Sequence, residues 1–491
     1  MCILLTESYD DGFVPGGFYS GVSVHGITLA KNLLNSKHPF FMFAGKELHD
    51  GRRTYEAYNR FPVFPFLITG LCIRPFKNNL AFQVYIARQL MNIFFILSIF
   101  IAFKLVDIIV KNKYLAISVV LLAFSSYYML TYNDFVFNDI QALLGFILAL
   151  YCVVKSQQAK LKISHILFYS LFPVSLGWQP YAVFIAWFLA DAIDLFLKKD
   201  INIKMKIAML IKQQSFVILL IAVAWGILIL GLQLFNEWRI VGGSFLSLPS
   251  VSSGLWRTGI ASAKGHTQFT WLFKWSDYLP GQSHAILIML IPFWPIFQVE
   301  PGLNASIFII VSFIIYILIK YLKDRESINK IHFVLIFSGI FWTIPMKQFA
   351  SMHEFQSIFY IGFVISAYIL LLSRVNSKTL KILAVDIAVA FLITTAFSNH
   401  LKTPNLKMND LITQFQSIRN KLPRNSKVYF DGKRHKTVEK YAIDFLLTGY
   451  WFTQMKDADF VVSKNPDFNS KKLTDNTGFN LFKTGGLHAS H

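Results

Sequence analysis

The feature that most constrains this chain is a series of long apolar stretches separated by short gaps rich in lysine. An α-helix needs about 20 apolar residues to cross the hydrocarbon core of a bilayer. Two shorter stretches containing proline, 62–76 and 284–298, fall below that length, and we expect them to form interfacial or re-entrant helices. The stretches predicted to span the membrane are 80–110, 114–133, 136–154, 163–178, 180–197, 216–238, 305–322, 328–346, 355–373 and 380–398.

The composition excludes several other classes of protein. Of the 491 residues, 54% are hydrophobic and only 15% are charged, whereas about 25% of the residues of a soluble domain carry charge. The net charge of +20 does not indicate nucleic-acid binding, because the lysines and arginines cluster between the apolar stretches. The cysteines, Cys2, Cys72 and Cys152, have no spacing typical of a metal site or a disulfide framework. The sequence therefore requires no cofactor.

The basic residues predict the topology, since cytoplasmic loops carry an excess of lysine and arginine. Lysine-rich gaps follow alternate spans, and the intervening turns are nearly free of basic residues. We therefore place residues 1–61, 239–304 and 399–491 outside the cytoplasm. The basic residues that mark the cytoplasmic side are Lys111, Lys113, Lys155, Lys160, Lys162, Lys198, Lys199, Lys204, Lys206, Lys212, Lys320, Lys323, Arg325, Lys330, Arg374, Lys378 and Lys381.

Three regions follow from this pattern. Residues 1–61 form a first extracytoplasmic loop, and an upstream helix is expected to be missing because Met1 to Thr6 reads as the last turn of a helix. Residues 62–398 form the transmembrane domain, which includes an outer loop at 239–304. Residues 399–491 contain short apolar runs and predict a small extracytoplasmic α/β domain. The fold class is thus an all-α polytopic membrane protein with about 10 to 11 transmembrane helices and a small C-terminal α/β domain.

Acidic residues on the outer face are candidates for chemistry. Asp10 and Asp11 lie just after the presumed end of a helix, where a carboxylate can act as a general base, although an Asp-Asp-Gly turn is also common in solvent. Asp134 and Asp139 lie between two spans on the same face. Asp139 opens the following helix, where a carboxylate also serves as a capping group.

Basic residues on the same face are candidates for binding phosphate. Arg60 stands beside a proline turn, and its forked guanidinium suits a phosphate oxygen. Arg88 lies inside the first span and needs either an anionic partner or a path to the interface. Lys347 and His353 precede the span 355–373, where they either bind phosphate or lie at the interface. The tryptophans of the outer loop fit an interfacial belt or a platform for sugar rings.

The order of these motifs resembles that of the GT-C glycosyltransferases, and especially the bacterial relatives of protein O-mannosyltransferases and of the lipid A aminoarabinose transferase. Asp10 or Asp11 matches the acid of the family's first outer loop, and Arg60-Phe-Pro62 matches the closing basic residue, with phenylalanine in place of one proline. Ala87-Arg-Gln-Leu90 matches the family's Ala-Arg-Leu, and Asp139 matches its second acid, with Asp134 a near competitor. The family's late Arg-Tyr has no match, and His353-Glu-Phe355 occupies its place.

This resemblance implies an inverting transfer of a sugar from a polyprenyl-phosphate donor to a lipid, glycan or protein acceptor. The reaction would take place on the outer face of a membrane, expected to be the inner membrane of a bacterium. Asp10 or Asp11 would activate the acceptor. The donor and its phosphate would be held by Arg60, Arg88, Asp134, Asp139, Lys347 and His353.

Other functions are compatible with the same composition. A transporter or flippase for lipid-linked sugars would place ionisable residues in mid-membrane, whereas Asp191 and Asp194 approach the cytoplasmic end of their helix. A polymerase or ligase would share the lipid-linked donor. The acidic pairs leave room for a divalent cation, but no ligand spacing demands one.

Overall fold

The computed structural model describes residues 20–38, 40–47, 53–76, 80–257, 275–293, 303–324, 326–347, 350, 354–401, 406–423, 425–431, 451–452, 454–463, 471–474 and 479–484. The chain divides into two compact units. The helical unit comprises residues 1–6, 91–230 and 252–401, and the sheet unit comprises residues 7–90, 231–251 and 402–491. The boundaries predicted from sequence at 61, 62 and 398 stay predictions.

Helices dominate the described residues. Three of them, at 20–35, 203–211 and 249–257, lie in segments that the sequence predicted only as loops. The helices in chain order are α1 (Ser20–Asn35), α2 (Phe64–Ile73), α3 (Leu80–Val110), α4 (Lys113–Phe124), α5 (Tyr127–Tyr132), α6 (Asp139–Gln158), α7 (Ile163–Leu176), α8 (Pro180–Phe196), α9 (Ile203–Ile211), α10 (Gln214–Val241), α11 (Pro249–Arg257), α12 (Trp275–Met289), α13 (Leu303–Lys323), α14 (Ser327–Thr343), α15 (Ile361–Leu372), α16 (Ser377–Leu401) and α17 (Leu406–Lys421).

The predicted fold class is confirmed, because the predicted spans are largely helical, although one of them is divided between two helices. Six helical stretches are long and apolar enough to cross a membrane by length and composition, and four shorter apolar helices accompany them in the part of the chain that the structure describes. The chain is therefore an integral membrane protein. The six stretches are Phe82–Val110, Asp139–Gln158, Gln214–Val241, Ser306–Lys323, Phe355–Leu372 and Ser377–Ala396.

Helix α6 is an interior helix of the helical unit. The most apolar 18-residue stretch of α6 is 83% buried inside the protein, whereas the corresponding stretch of α13 is only 22% buried. The segment around α15 is also 83% buried, and glycine allows its close approach to α14. A Cβ atom added to Gly362 would lie 2.4 Å from the carbonyl oxygen of Leu335. Helices α6 and α15 thus belong to the buried interior of the helical unit.

The predicted span 114–133 is not one helix, which corrects the expectation from sequence. Helix α4 ends at Phe124, and α5 begins after Ser126. Between them, Ser126 pairs with Pro292 in an isolated bridge, and the backbone N–H of Phe293 donates to the carbonyl of Ser125 at 2.9 Å. Serine favours helix ends over helix interiors, so the Ser-Ser pair tolerates the break that the contact with Phe293 fixes.

A buried ion-pair cluster joins four helices of the helical unit. Lys330 of α14 pairs with Asp191 of α8 and, at 2.9 Å, with Asp194. The hydroxyl of Tyr321 donates to Asp194 at 2.6 Å, and Ser215 donates to Asp191. Each carboxylate therefore has a cation and a hydroxyl as partners, and the cluster serves as a structural link between helices.

The sheet unit contains a seven-stranded mixed sheet built from two distant segments of the chain. Its order is β2-β1-β4-β3-β5-β7-β6, with parallel pairing from β1 to β5 and antiparallel pairing at both edges. Helix α17 covers it, since Phe415 contacts the rings of Phe430 and Phe479. The strands are β1 (Phe43–Glu47), β2 (Arg53–Ala57), β3 (Lys427–Asp431), β4 (Trp451–Phe452), β5 (Phe460–Ser463), β6 (Lys471–Lys472) and β7 (Asn480–Lys483).

Candidate functional site

The candidate site of the helical unit lies at the first turn of α6. Asp139 opens this helix, as the sequence predicted, and only 1% of its surface is exposed. Its Oδ1 accepts a hydrogen bond of 2.8 Å from Gln356, whereas Oδ2 has no hydrogen-bond partner among the described residues. The side chain of the preceding Asn138 is fully buried, and neither of its polar atoms has a hydrogen bond within the same residues. These two side chains therefore have hydrogen-bonding capacity to spare in a place where leaving it unfilled costs about 1–3 kcal/mol per group.

The orientation of Asp139 is fixed by a side-chain relay. Gln356 lies in the 3₁₀ helix Glu354–Tyr360, and its amide oxygen accepts a hydrogen bond of 2.9 Å from the indole of Trp342. Trp342 in turn lies near the end of α14. The amide of Gln356 therefore points its N–H group at Asp139 and cannot turn over without losing both bonds.

A second chain of buried hydrogen bonds lies beside this relay. The Tyr278 hydroxyl is 2.6 Å from that of Thr343, which is 2.9 Å from the Tyr360 hydroxyl. Tyr360 donates to Gln282 at 2.8 Å. Burial raises the pKa of Tyr278 above its ordinary value, so the hydroxyl stays protonated and can donate. Together the two chains form a polar layer at one end of α14.

Charged side chains are buried close to this layer. Arg257, at the end of α11, is 8% exposed and interacts electrostatically with Asp139. The predicted site residues Asp134 and Lys347 are each 2% exposed. Burying such charges is costly without partners, and both residues make interactions within the protein. Two of the predicted site residues, the acidic Asp134 and the basic Lys347, therefore lie in the interior of the helical unit.

The polar layer also has an aromatic side. The rings of Tyr132, Phe135 and Phe355 contact one another, with centroid distances of 5.8 Å for Tyr132 to Phe135 and 5.4 Å for Phe135 to Phe355. All three residues are buried. The side-chain amide of Asn133, next to Tyr132 in the chain, donates to the side-chain oxygen of Asn92 at 3.2 Å. The residues on both sides of Asp134 in the chain, Asn133 and Phe135, are therefore fixed by contacts with other parts of the helical unit.

The two predicted arginines lie in the sheet unit. Arg60 is half-buried, and its guanidinium carbon lies 3.7 Å from the centroid of the Tyr58 ring. Arg88 is 7% exposed within α3, as expected of an arginine that needs an interior partner.

Three of the predicted site residues, Asp10, Asp11 and His353, lie outside the described residues. The roles assigned to all the site residues, and their expected convergence on one outer cavity, stay predictions. Within the described ranges, no group of three or more His, Cys, Asp or Glu side chains is arranged to hold a metal ion.

Sequence reasoning missed several residues of these sites. Gln356 and Arg257 gave no signal, because an amide in an apolar run and an arginine in a loop are both common. Glu237 was the more visible omission. It is an acidic residue near the end of a long apolar run, which usually marks a functional position.

Comparison with known proteins gives similarity to solved structures only. No protein-family model matches the chain, and no curated protein matches it. The crystal structure of ArnT from Cupriavidus metallidurans bound to undecaprenyl phosphate aligns with 100% of this chain and 97% of its own, at 11% identity and a TM-score of 0.46. The archaeal oligosaccharyltransferase AglB from Archaeoglobus fulgidus, in complex with an inhibitory peptide and a dolichol-phosphate, aligns with 89% of this chain at 12% identity and a TM-score of 0.47.

The aligned region spans only 60% of the AglB chain. The resemblance of the motifs to the lipid A aminoarabinose transferase and its relatives is a separate observation, made from the sequence. At 11% and 12% identity, with TM-scores of 0.46 and 0.47, these similarities identify neither a reaction nor a substrate for this chain.

Proposed function

We propose that this chain is a glycosyltransferase that moves a sugar from a polyprenyl-phosphate donor to a lipid, glycan or protein acceptor. The observation that carries the proposal is the pair Asn138 and Asp139, buried at the start of a membrane helix with hydrogen-bonding capacity that no described residue fills. Carboxylate and amide groups of this kind bind the hydroxyl groups of a sugar. Two buried cations suit the phosphate to which the sugar is attached: Arg257, which interacts electrostatically with Asp139, and Lys347.

The proposed reaction divides the work among the predicted residues. Asp10 or Asp11 takes the proton from the acceptor hydroxyl or amine. The acceptor atom then bonds to the anomeric carbon while the bond from that carbon to the phosphate oxygen breaks, and the phosphate leaves with the electron pair. Negative charge grows on the phosphate in this step, so fixed cations lower the barrier. Arg60, Arg88, Lys347 and His353 are proposed to supply this charge.

Asp134 and Asp139 are proposed to bind the donor. The fixed orientation of Asp139, held by Gln356 and Trp342, favours this assignment because a preorganised acceptor spends no free energy on reorientation when the donor arrives. The proposal places the site on the outer face of a bacterial inner membrane, in line with the lysine-rich loops predicted to be cytoplasmic.

The test is transfer of radiolabelled sugar from a panel of polyprenyl-phosphate donors in membranes that contain the chain. Asp139→Asn keeps the shape of the side chain but removes its charge. It should therefore lower kcat/KM by about 10- to 100-fold, the effect of losing one charged hydrogen bond. Asp200→Asn, on an exposed aspartate, is the matched control and should leave transfer unchanged.

Two results would overturn the proposal. Full activity of Asp139→Asn at normal expression would remove the site from α6. If the chain transferred no sugar from any donor, while labelled lipid-linked sugar crossed the membrane only when the chain was present, the function would be transport instead.

A further inference from the structure

A fully buried carboxylate, Glu237, stands near the end of α10 in the sheet unit. Its Oε2 accepts a hydrogen bond of 3.0 Å from the side-chain amide of Asn59, and its Oε1 accepts one of 2.9 Å from the backbone N–H of Ser250. An acidic residue in a membrane helix is costly and is usually kept for function. Neither the predicted site nor the proposed reaction assigns Glu237 a role.

The partner of Glu237, Asn59, makes two further hydrogen bonds within the described residues. Asn59 is fully buried, and its backbone N–H donates to the Ser250 hydroxyl at 2.8 Å. Its side-chain oxygen accepts a hydrogen bond of 2.8 Å from the backbone N–H of Met42. Buried hydrogen bonds of this kind rigidify the groups that make them and favour one conformation.

This network holds the turn that carries Arg60. Asn59 immediately precedes the arginine, and the carbonyl of Phe61, immediately after it, accepts a hydrogen bond of 2.9 Å from Gln233. Gln233 lies one helical turn before Glu237, so α10 fixes the backbone on both sides of Arg60.

The side chain of Arg60 is held as well. Its guanidinium lies over the Tyr58 ring at 3.7 Å, and that ring packs edge-on against His25 at a centroid distance of 4.7 Å. The backbone N–H of Tyr58 donates to Met42 at 3.0 Å. Both the backbone and the guanidinium of Arg60 are therefore set before any ligand binds.

We infer that Glu237 is a positioning residue for Arg60, acting through Asn59 to aim the guanidinium at the phosphate of a polyprenyl phosphate. The inference rests on the proposed function only in the identity of the ligand. A forked guanidinium binds two phosphate oxygens only when its plane is correctly placed, so a small movement of the turn weakens binding.

Exchanging the carboxylate of Glu237 and the amide of Asn59 between the two positions tests this inference. Glu237→Gln places an amide N–H group against the Asn59 amide or the Ser250 N–H, and Asn59→Asp places a second carboxylate against Glu237. Each single variant should weaken binding of radiolabelled undecaprenyl phosphate to the purified full chain by about 10-fold or more, because a buried charged hydrogen bond is lost. In the double variant, the new amide at 237 donates to the new carboxylate at 59, and all partners are restored. Binding should then return to within about 3-fold of the parent.

A positioning role differs from a purely structural one in its coupling to Arg60. In an Arg60→Ala background, Glu237→Gln should have no further effect on binding. Arg239→Gln, which removes an exposed charge from the same helical turn, should leave binding unchanged in either background. Equal losses with and without Arg60, or failure of the double variant to recover binding at normal expression, would overturn the inference.

The proposed function can fail separately. If no donor supports transfer but undecaprenyl phosphate binding follows the pattern above, the positioning inference holds and the reaction is wrong. If transfer depends on Asp139 but binding ignores the exchange, the reaction holds and the inference is wrong.

Discussion

Replacing Gln356 by leucine should damage both the stability of the helical unit and sugar transfer. Gln356 is 1% exposed and makes two hydrogen bonds, one of 2.8 Å to the Asp139 carboxylate and one of 2.9 Å from the Trp342 indole. Leucine fills a similar volume, so the change leaves two buried polar groups without a partner and creates little cavity. Each such group costs about 1–3 kcal/mol, which gives a loss of roughly 2–6 kcal/mol in the free energy of unfolding.

The effect on transfer follows from the freed carboxylate. Asp139 would lose the hydrogen bond from Gln356 that fixes its Oδ1. Because this hydrogen bond is made to a charged group, kcat/KM should fall by about 10-fold or more. The matched control is Gln158→Leu, an exposed amide at the other end of α6, which should change neither quantity.

The assays are thermal unfolding in detergent and sugar transfer in membranes. The double variant Gln356→Leu with Trp342→Phe removes the orphaned indole N–H, and it should recover part of the stability but none of the transfer. If Gln356→Leu unfolded at the parental temperature and transferred sugar at the parental rate, the relay would have no part in holding Asp139.

Three further predictions concern stability. Gly362→Ala places a Cβ atom 2.4 Å from a backbone carbonyl of α14, and it should lower the free energy of unfolding by about 1–3 kcal/mol; Gly231→Ala, where a Cβ atom meets nothing within 4 Å, should not lower it, as chemical denaturation would show. Lys330→Met leaves its two buried aspartate partners without a cation and should cost about 3–5 kcal/mol, unless thermal unfolding shows a neutral or stabilising effect, in which case the cluster is not a structural link. Burial, and then the positive charge of Arg419, lower the pKa of Lys31 from 10.5 to about 7. Between these values the unfolded chain binds more protons than the folded chain, so this lysine makes stability rise as the pH rises from about 7 towards 10.5. Lys31→Met should remove that part of the pH dependence, and identical slopes of unfolding temperature against pH in both proteins would contradict the assignment.

The helices were predictable because the apolar runs leave few alternatives. A stretch such as 80–110 must be helical in a membrane, since no other structure satisfies its backbone. The helix start at Asp139 followed from the change from polar to apolar residues. The break at Ser125 did not, because it depends on a contact with Phe293 that local sequence does not encode.

The partners of the site residues were beyond sequence reasoning for the same reason. Gln356 is 217 positions from Asp139, and Glu237 is 178 positions from Asn59. Side chains at such separations meet only because the packed helices bring them together. Sequence therefore indicated which charged residues to examine, whereas their orientation came from uncharged neighbours that carry no recognisable motif.

The mixed sheet restricts the number of times that the chain can cross the membrane. Strand β1, at 43–47, pairs in parallel with β4, at 451–452, and belongs to the same sheet as β3. Strands can pair only if they lie on the same side of the bilayer, so the chain must cross the membrane an even number of times between Glu47 and Lys427. The ten predicted spans satisfy this parity. Promoting either short apolar piece alone to a full crossing would make the number odd and separate β1 from its partner. Reporter fusions after Glu47 and before Lys427 should therefore always give the same sidedness.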